Sequence, residues 1–135
     1  MIDLRGKRVF VIEDNLENRI ITRLALIKTG AHLEFDIWGR ETVKNLVRLA
    51  PFDLIVMDLM LPGGVTGYQL YDAIRASPEL DDVPVVAVSA SDAGEAIQRC
   101  RARGFAGYIA KPIDEELFPE QIFRLINREQ VWHAG

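Results

Sequence analysis

A chain of 135 residues, 49% apolar and 27% charged, has the length of one domain and the composition of an ordinary globular fold. Its net charge of −4 speaks against direct nucleic-acid binding, and its single cysteine, Cys100, excludes an internal disulfide and a thiolate zinc cluster. No apolar stretch approaches the roughly 20 residues of a spanning helix, and Met1–Arg8 lacks the apolar region of a signal peptide, so a cytoplasmic chain without membrane contact is expected.

From the amino end, Arg8-Val9-Phe10-Val11-Ile12 reads as a buried strand that stops at Glu13-Asp14-Asn15. Asn15 is placed to cap a helix whose Ile20, Leu24 and Ile27 recur at helical spacing and are expected to form its inner face, with Gly30 as its stop. His32–Asp36 alternates like a strand nearer the sheet edge, and the next helix carries Val43, Leu46, Val47 and Ala50 before Pro51. Asp53-Leu54-Ile55-Val56-Met57-Asp58 sets four apolar residues between two carboxylates, a strand buried on both faces, and Leu59–Gly64 has the turn chemistry that ends it. A helix from about Gly67 turns Leu70, Ala73 and Ile74 inward and breaks at Ser77-Pro78. Val85–Val88 is a fourth buried strand, followed by a helix with Ala93, Ala96, Ile97 and Cys100 inward, closed by Gly104. Gly107–Ala110 is a short fifth strand ending at Lys111-Pro112. The last helix follows Asp114 and sets Phe118, Ile122 and Leu125 on one face, with Pro119 delaying or kinking its start. The domain is expected over 1–128, and 129–135, poor in apolar residues, is expected to be a frayed tail.

Five strand–helix units in strict alternation imply an α/β fold: a doubly wound, five-stranded parallel sheet with five helices on its two faces. Glu13, Asp14, Asp58, Ser89 and Lys111 each follow directly on a strand, so all lie at the carboxyl edge and converge on one crevice. Taken singly they have plainer roles: strand-end turn for Asp58, helix-dipole partners for Glu13 and Asp14, helix cap for Ser89, solvated cation for Lys111. Their shared placement favours a site. Three carboxylates held together repel one another, and a divalent cation, Mg2+ by its preference for oxygen ligands, relieves that repulsion.

The ordered set Glu13-Asp14-Asn15, Asp58 with Met60 and Pro62, Ser89-Ala90, and Tyr108 with Lys111-Pro112 resembles the receiver domains of two-component response regulators, including the single-domain chemotaxis type. The resemblance runs from about Lys7 to Arg128. It implies a flavodoxin-like strand order 2-1-3-4-5, with Asp58 as phosphoacceptor and Mg2+ held by Glu13, Asp14, Asp58 and the Met60 backbone carbonyl. It also implies Lys111 and Ser89 on the phosphoryl oxygens and a cis Lys111–Pro112 bond. The donor would be a sensor histidine kinase or a histidine phosphotransfer protein, and self-catalysis would be weak, so the chain would be a bacterial signalling switch rather than an enzyme. On phosphorylation Ser89 would move toward the phosphoryl group and Tyr108 turn inward. The downstream protein, unknown from sequence, would then meet the face of the fourth helix, fifth strand and fifth helix, including Arg99 and Arg103. Two positions depart from the family: Gly67 lies one residue further from Asp58 than the usual glycine, and Ser89 replaces the commoner Thr.

Three other readings compete. An aspartyl-phosphate phosphatase would carry a second Asp two residues after the nucleophile, where this chain has Met60. A flavin-binding protein would need a Ser/Thr/Gly-rich loop after the first strand, where Glu13-Asp14-Asn15-Leu16 would repel phosphate. A pseudo-receiver acting only as a docking module would share every motif without the chemistry.

Overall fold

The computed structural model describes residues 1–135. In chain order the elements are β1 (Arg8–Ile12), α1 (Leu16–Leu26), β2 (His32–Asp36), α2 (Thr42–Leu49), β3 (Leu54–Met57), α3 (Gly67–Arg75), β4 (Val85–Ser89), α4 (Ala93–Arg103), β5 (Gly107–Ala110), α5 (Phe118–Ile126) and β6 (Val131–His133). All pairings are parallel and the sheet order is β2-β1-β3-β4-β5-β6. Doubly wound topology and flavodoxin-like order are thus as expected. β3 and β4 are buried at every residue, because helices cover both sides of the inner strands.

Alternation along the strands feeds two cores. Phe10, Ile12, Ile55, Met57, Val85 and Ala87 face α2, α3 and α4, while Val9, Val11, Leu54, Val56, Val86 and Val88 face α1 and α5. The inner strands β1, β3, β4 and β5 are fixed in register by a neighbour on either side, which fixes the position of whatever residue follows them.

Two expectations about packing are corrected. The segment expected to fray forms a sixth strand: Val131 pairs with Gly107, Trp132 with Tyr108 and His133 with Ile109. Composition misled because a three-residue edge strand needs little apolar content beyond one buried anchor, here Val131. Gly107 makes the approach possible, since a Cβ there would lie 2.3 Å from the Val131 carbonyl oxygen. The second correction concerns α1. Thr22 and Leu26 are buried, whereas Ile20, Leu24 and Ile27 are exposed together with Leu16. The helix carries two apolar stripes, and the one containing Ala25 and Leu26 meets the sheet. Smaller shifts follow the same logic: Ala73 faces solvent on α3, and Tyr68 and Tyr71 join Leu70 and Ile74 inside. α5 begins at Phe118, so Pro119 sits in its first turn, where a missing N–H costs nothing. Both Ala50–Pro51 and Lys111–Pro112 are cis.

Candidate functional site

β3 delivers Asp58 to the carboxyl edge, where its N–H donates to the Ile12 carbonyl at 3.2 Å and its side chain is nearly buried. Each carboxylate oxygen is engaged. Oδ1 accepts from the Met60 N–H at 3.0 Å and from the Ser89 hydroxyl at 3.0 Å. Oδ2 accepts from Lys111 Nζ at 2.8 Å, and the same ammonium pairs with Glu13 Oε1. Glu13 is buried at 5% exposure, and its second oxygen accepts from the Asn15 N–H at 3.2 Å. Asp14 stands exposed on the rim. Carboxylate oxygens of Glu13, Asp14 and Asp58 lie within 4.8 Å of one another.

Lys111 reaches this point because β5 is held against β4, with the Lys111 N–H donating to the Ser89 carbonyl at 2.9 Å. Burial alone would lower its pKa, but hydrogen bonds and charge from Asp58 and Glu13 outweigh burial and hold it above the ordinary lysine value. One ammonium faces three carboxylates, so the crevice keeps excess negative charge on an all-oxygen donor set. That chemistry fits a hard divalent cation.

The lengthened loop leaves the crevice in place. Its extra residue is absorbed in a tight turn over Pro62–Gly64, where Gly63 and Gly64 take φ of 76° and 74°. The chain then closes on itself: the Gly67 N–H donates to the Leu59 carbonyl at 2.8 Å, and Thr66 and Gln69 form a capping box that starts α3. A Cβ on Gly67 would lie 2.7 Å from the Asp58 carbonyl oxygen, which requires glycine there.

Glu13, Asp14, Asp58, Ser89 and Lys111 therefore meet at this edge, and Tyr108 lies behind it on β5. Tyr108 is fully buried, its hydroxyl donating to the carbonyls of Ser89 at 3.1 Å and Ser91 at 3.0 Å. The ring points inward, and the Ser89 hydroxyl donates to Asp58. The physical reason is the pair of acceptor carbonyls combined with a ring sunk in the core beside Cys100 and Ala96. Arg99 and Arg103 lie over the Tyr68 ring at 4.1 and 5.2 Å, and Arg103 also pairs with Asp72 at 2.8 Å. Sequence reasoning gave no role to Ser91, whose hydroxyl is 3.2 Å from that of Ser89. The available clue was a second hydroxyl two residues past a strand exit. It also missed a cavity of about 160 Å³ behind Asp58, on the α1 side of the sheet, bounded by Val11, Thr22, Val56, Val88, Lys111 and Ile113.

Residues 9–123 match the family model of the response regulator receiver domain. The chain belongs to that family. Among curated relatives, it is 29% identical over 116 residues to the signal transduction histidine-protein kinase BarA of Escherichia coli, covering 86% of this chain and 12% of that kinase. It is 34% identical over 113 residues to the peroxide stress-activated histidine kinase mak1 of Schizosaccharomyces pombe, covering 80% of this chain and 7% of that one. The chain spans about 7 to 15% of the length of these and similar curated relatives. Among solved structures, the receiver domain of a Pseudomonas aeruginosa sensor histidine kinase, with magnesium in its active-site cleft, aligns with a TM-score of 0.73 at 26% identity, covering 91% of this chain and 96% of that one. The chemotaxis response regulator CheY4 of Vibrio cholerae shares the fold at a TM-score of 0.77 and 24% identity, over 88% of this chain and 98% of its own. No helix of this receiver domain is long and apolar enough to cross a membrane.

Proposed function

We propose that this receiver accepts a phosphoryl group from a phosphohistidine on Asp58 and acts as a phosphorylation-dependent switch. The observation that carries the reading is the convergence on one carboxylate of the Lys111 ammonium at 2.8 Å and the Ser89 hydroxyl at 3.0 Å, beside Glu13 and Asp14. An Asp58 oxygen forms a bond to phosphorus as the P–N bond of the donor breaks, and the electron pair leaves on the imidazole nitrogen, giving an acyl phosphate. Lys111 neutralises charge on one phosphoryl oxygen and Ser89 donates to another. Glu13, Asp14, Asp58 and the Met60 carbonyl would hold Mg2+, which supplies further positive charge at the phosphoryl oxygens when bound.

The donor is a histidine kinase or histidine phosphotransfer protein, in keeping with the kinases to which the chain is similar. Its docking surface is the exposed aliphatic stripe of α1, Leu16, Ile20 and Leu24, continued by Ile27 just past the helix, which starts two residues after Asp14 and so leads from the crevice rim down the helix. Incubation with acetyl phosphate and Mg2+, read by intact mass, should add one phosphoryl group to the native chain and none to Asp58→Asn. Undiminished phosphorylation of Asp58→Asn, or none in the native chain, would refute the assignment.

A further inference from the structure

We propose that β6 is an intramolecular clamp that holds Tyr108 inward and closes the β5 edge, whatever the state of Asp58. The part of this statement that concerns Asp58 rests on the reading above, and the clamp itself does not.

Trp132 is the register partner of Tyr108 on the adjacent strand, so the two side chains leave the sheet on the same face. Tyr108 buries its ring completely and spends its hydroxyl on two carbonyls at the β4 exit. A tyrosine on an edge strand has a second staggered position leaning off the sheet. With β5 at the edge, that position would open on solvent. Here β6 stands at the edge instead, and Trp132 fills the space, its ring packed against the aromatic core and covered by the Arg101 guanidinium of α4 at 4.7 Å. The Trp132 indole N–H is tied back to Gln130 Oε1 at 3.1 Å, which fixes the ring from its own strand.

β6 also covers the ground between α4 and α5 where a downstream protein was expected to dock. Val131 is buried beside Leu125, and Gly107 has given up its Cβ to let the Val131 carbonyl in.

The test is fluorine NMR of the full chain with its three tyrosines replaced by meta-fluorotyrosine, the Tyr108 signal assigned with Tyr108→Phe. Exposure is read as the solvent-isotope shift between light and heavy water. In the native chain the Tyr108 signal should show no such shift, with or without beryllofluoride and Mg2+. Trp132→Ala should give it one, Gly107→Ala should do the same by expelling β6, and Trp132→Phe should restore shielding. Arg101→Ala, on the surface of α4, is the mild variant and should broaden the signal with the fold intact. A shielded Tyr108 in both Trp132→Ala and Arg101→Ala would overturn the clamp, as would a native Tyr108 that becomes exposed when beryllofluoride is added or withdrawn. If Trp132→Ala frees Tyr108 while beryllofluoride changes no signal in any variant, the clamp stands and the Asp58 reading fails.

Discussion

The face of the sheet under α1 and α5 is packed with Val, Ile and Leu and a single fully buried aromatic, Phe118, whereas the face under α2, α3 and α4 is packed around Phe10, Phe52, Tyr68, Tyr71, Phe105 and Tyr108. Tyr71 stacks on Phe105 at 4.2 Å, and Phe52 meets Phe10 edge-on at 5.1 Å. The difference separates two tasks. Aliphatic side chains fill most of the first face and hold α1 and α5 on the sheet by their burial, and the outer side of α1 stays exposed. Aromatic side chains carry hydroxyls, and Tyr108 uses its own to tie the core to the β4 exit that also bears Ser89. Asp58 is thereby linked through Ser89 and Tyr108 into the aromatic core.

The largest effect should come from the aliphatic wall. Ile122→Ala removes a fully buried side chain from α5 and should cost about 2–5 kcal/mol, seen as a lower urea midpoint at unchanged slope. A loss under about 1 kcal/mol would mean that α5 is not fixed by this wall.

On the aromatic side, Cys100 gives a pH signature. Burial pushes its thiol up from 9.0 to about 11, so the folded chain holds this proton more tightly than the unfolded one. Its contribution is complete below the unfolded value and is lost as pH rises from about 9 to about 11, roughly 2–3 kcal/mol over that window. Cys100→Ala should flatten this part of the descent, measured as urea midpoints from neutral pH upward. Parallel curves for the two proteins would show that the sulfur is solvated. Next in size is Gly67→Ala, which must displace the Asp58 backbone and should cost about 1–3 kcal/mol in thermal or urea denaturation while lowering the rate of modification by acetyl phosphate.

The two faces were unequally legible in the sequence. Five strands and the carboxyl-edge set could be read because β1, β3, β4 and β5 are short apolar runs ended by a charged or polar residue, β2 alternates, and a parallel sheet has only one edge where such ends collect. The inner face of α5 was legible for the same reason, since Phe118, Ile122 and Leu125 are its dominant stripe and meet the sheet. The inner face of α1 was not legible. Helical periodicity finds a stripe and does not say what covers it, and on α1 the more regular stripe lies outside. β6 was illegible because its pairing depends on an absence, the missing Cβ at Gly107, that no apolar pattern records. The buried position of Tyr108 depends on two backbone carbonyls, which sequence does not list as partners.

That misread stripe yields the smallest expected change in stability and the most selective one in function. Ile20 and Leu24 are 49% and 58% exposed, so serine at either removes little buried area and should shift stability by no more than about 0.5 kcal/mol. A donor protein that carries phosphohistidine must bring its imidazole to Asp58 over the same rim, and the apolar side chains it covers on α1 add to its affinity. Each side chain fully covered is worth about 1.5–3 kcal/mol, which converts to tenfold or more in the rate of transfer at low donor concentration. Acetyl phosphate touches only the crevice and gains nothing from α1. Ile20→Ser and Leu24→Ser should therefore slow transfer from the donor protein at least tenfold and leave modification by acetyl phosphate unchanged. Equal slowing with both donors would place the defect in the crevice, and no slowing with either would remove α1 from the docking surface and leave its four exposed aliphatic residues to another partner.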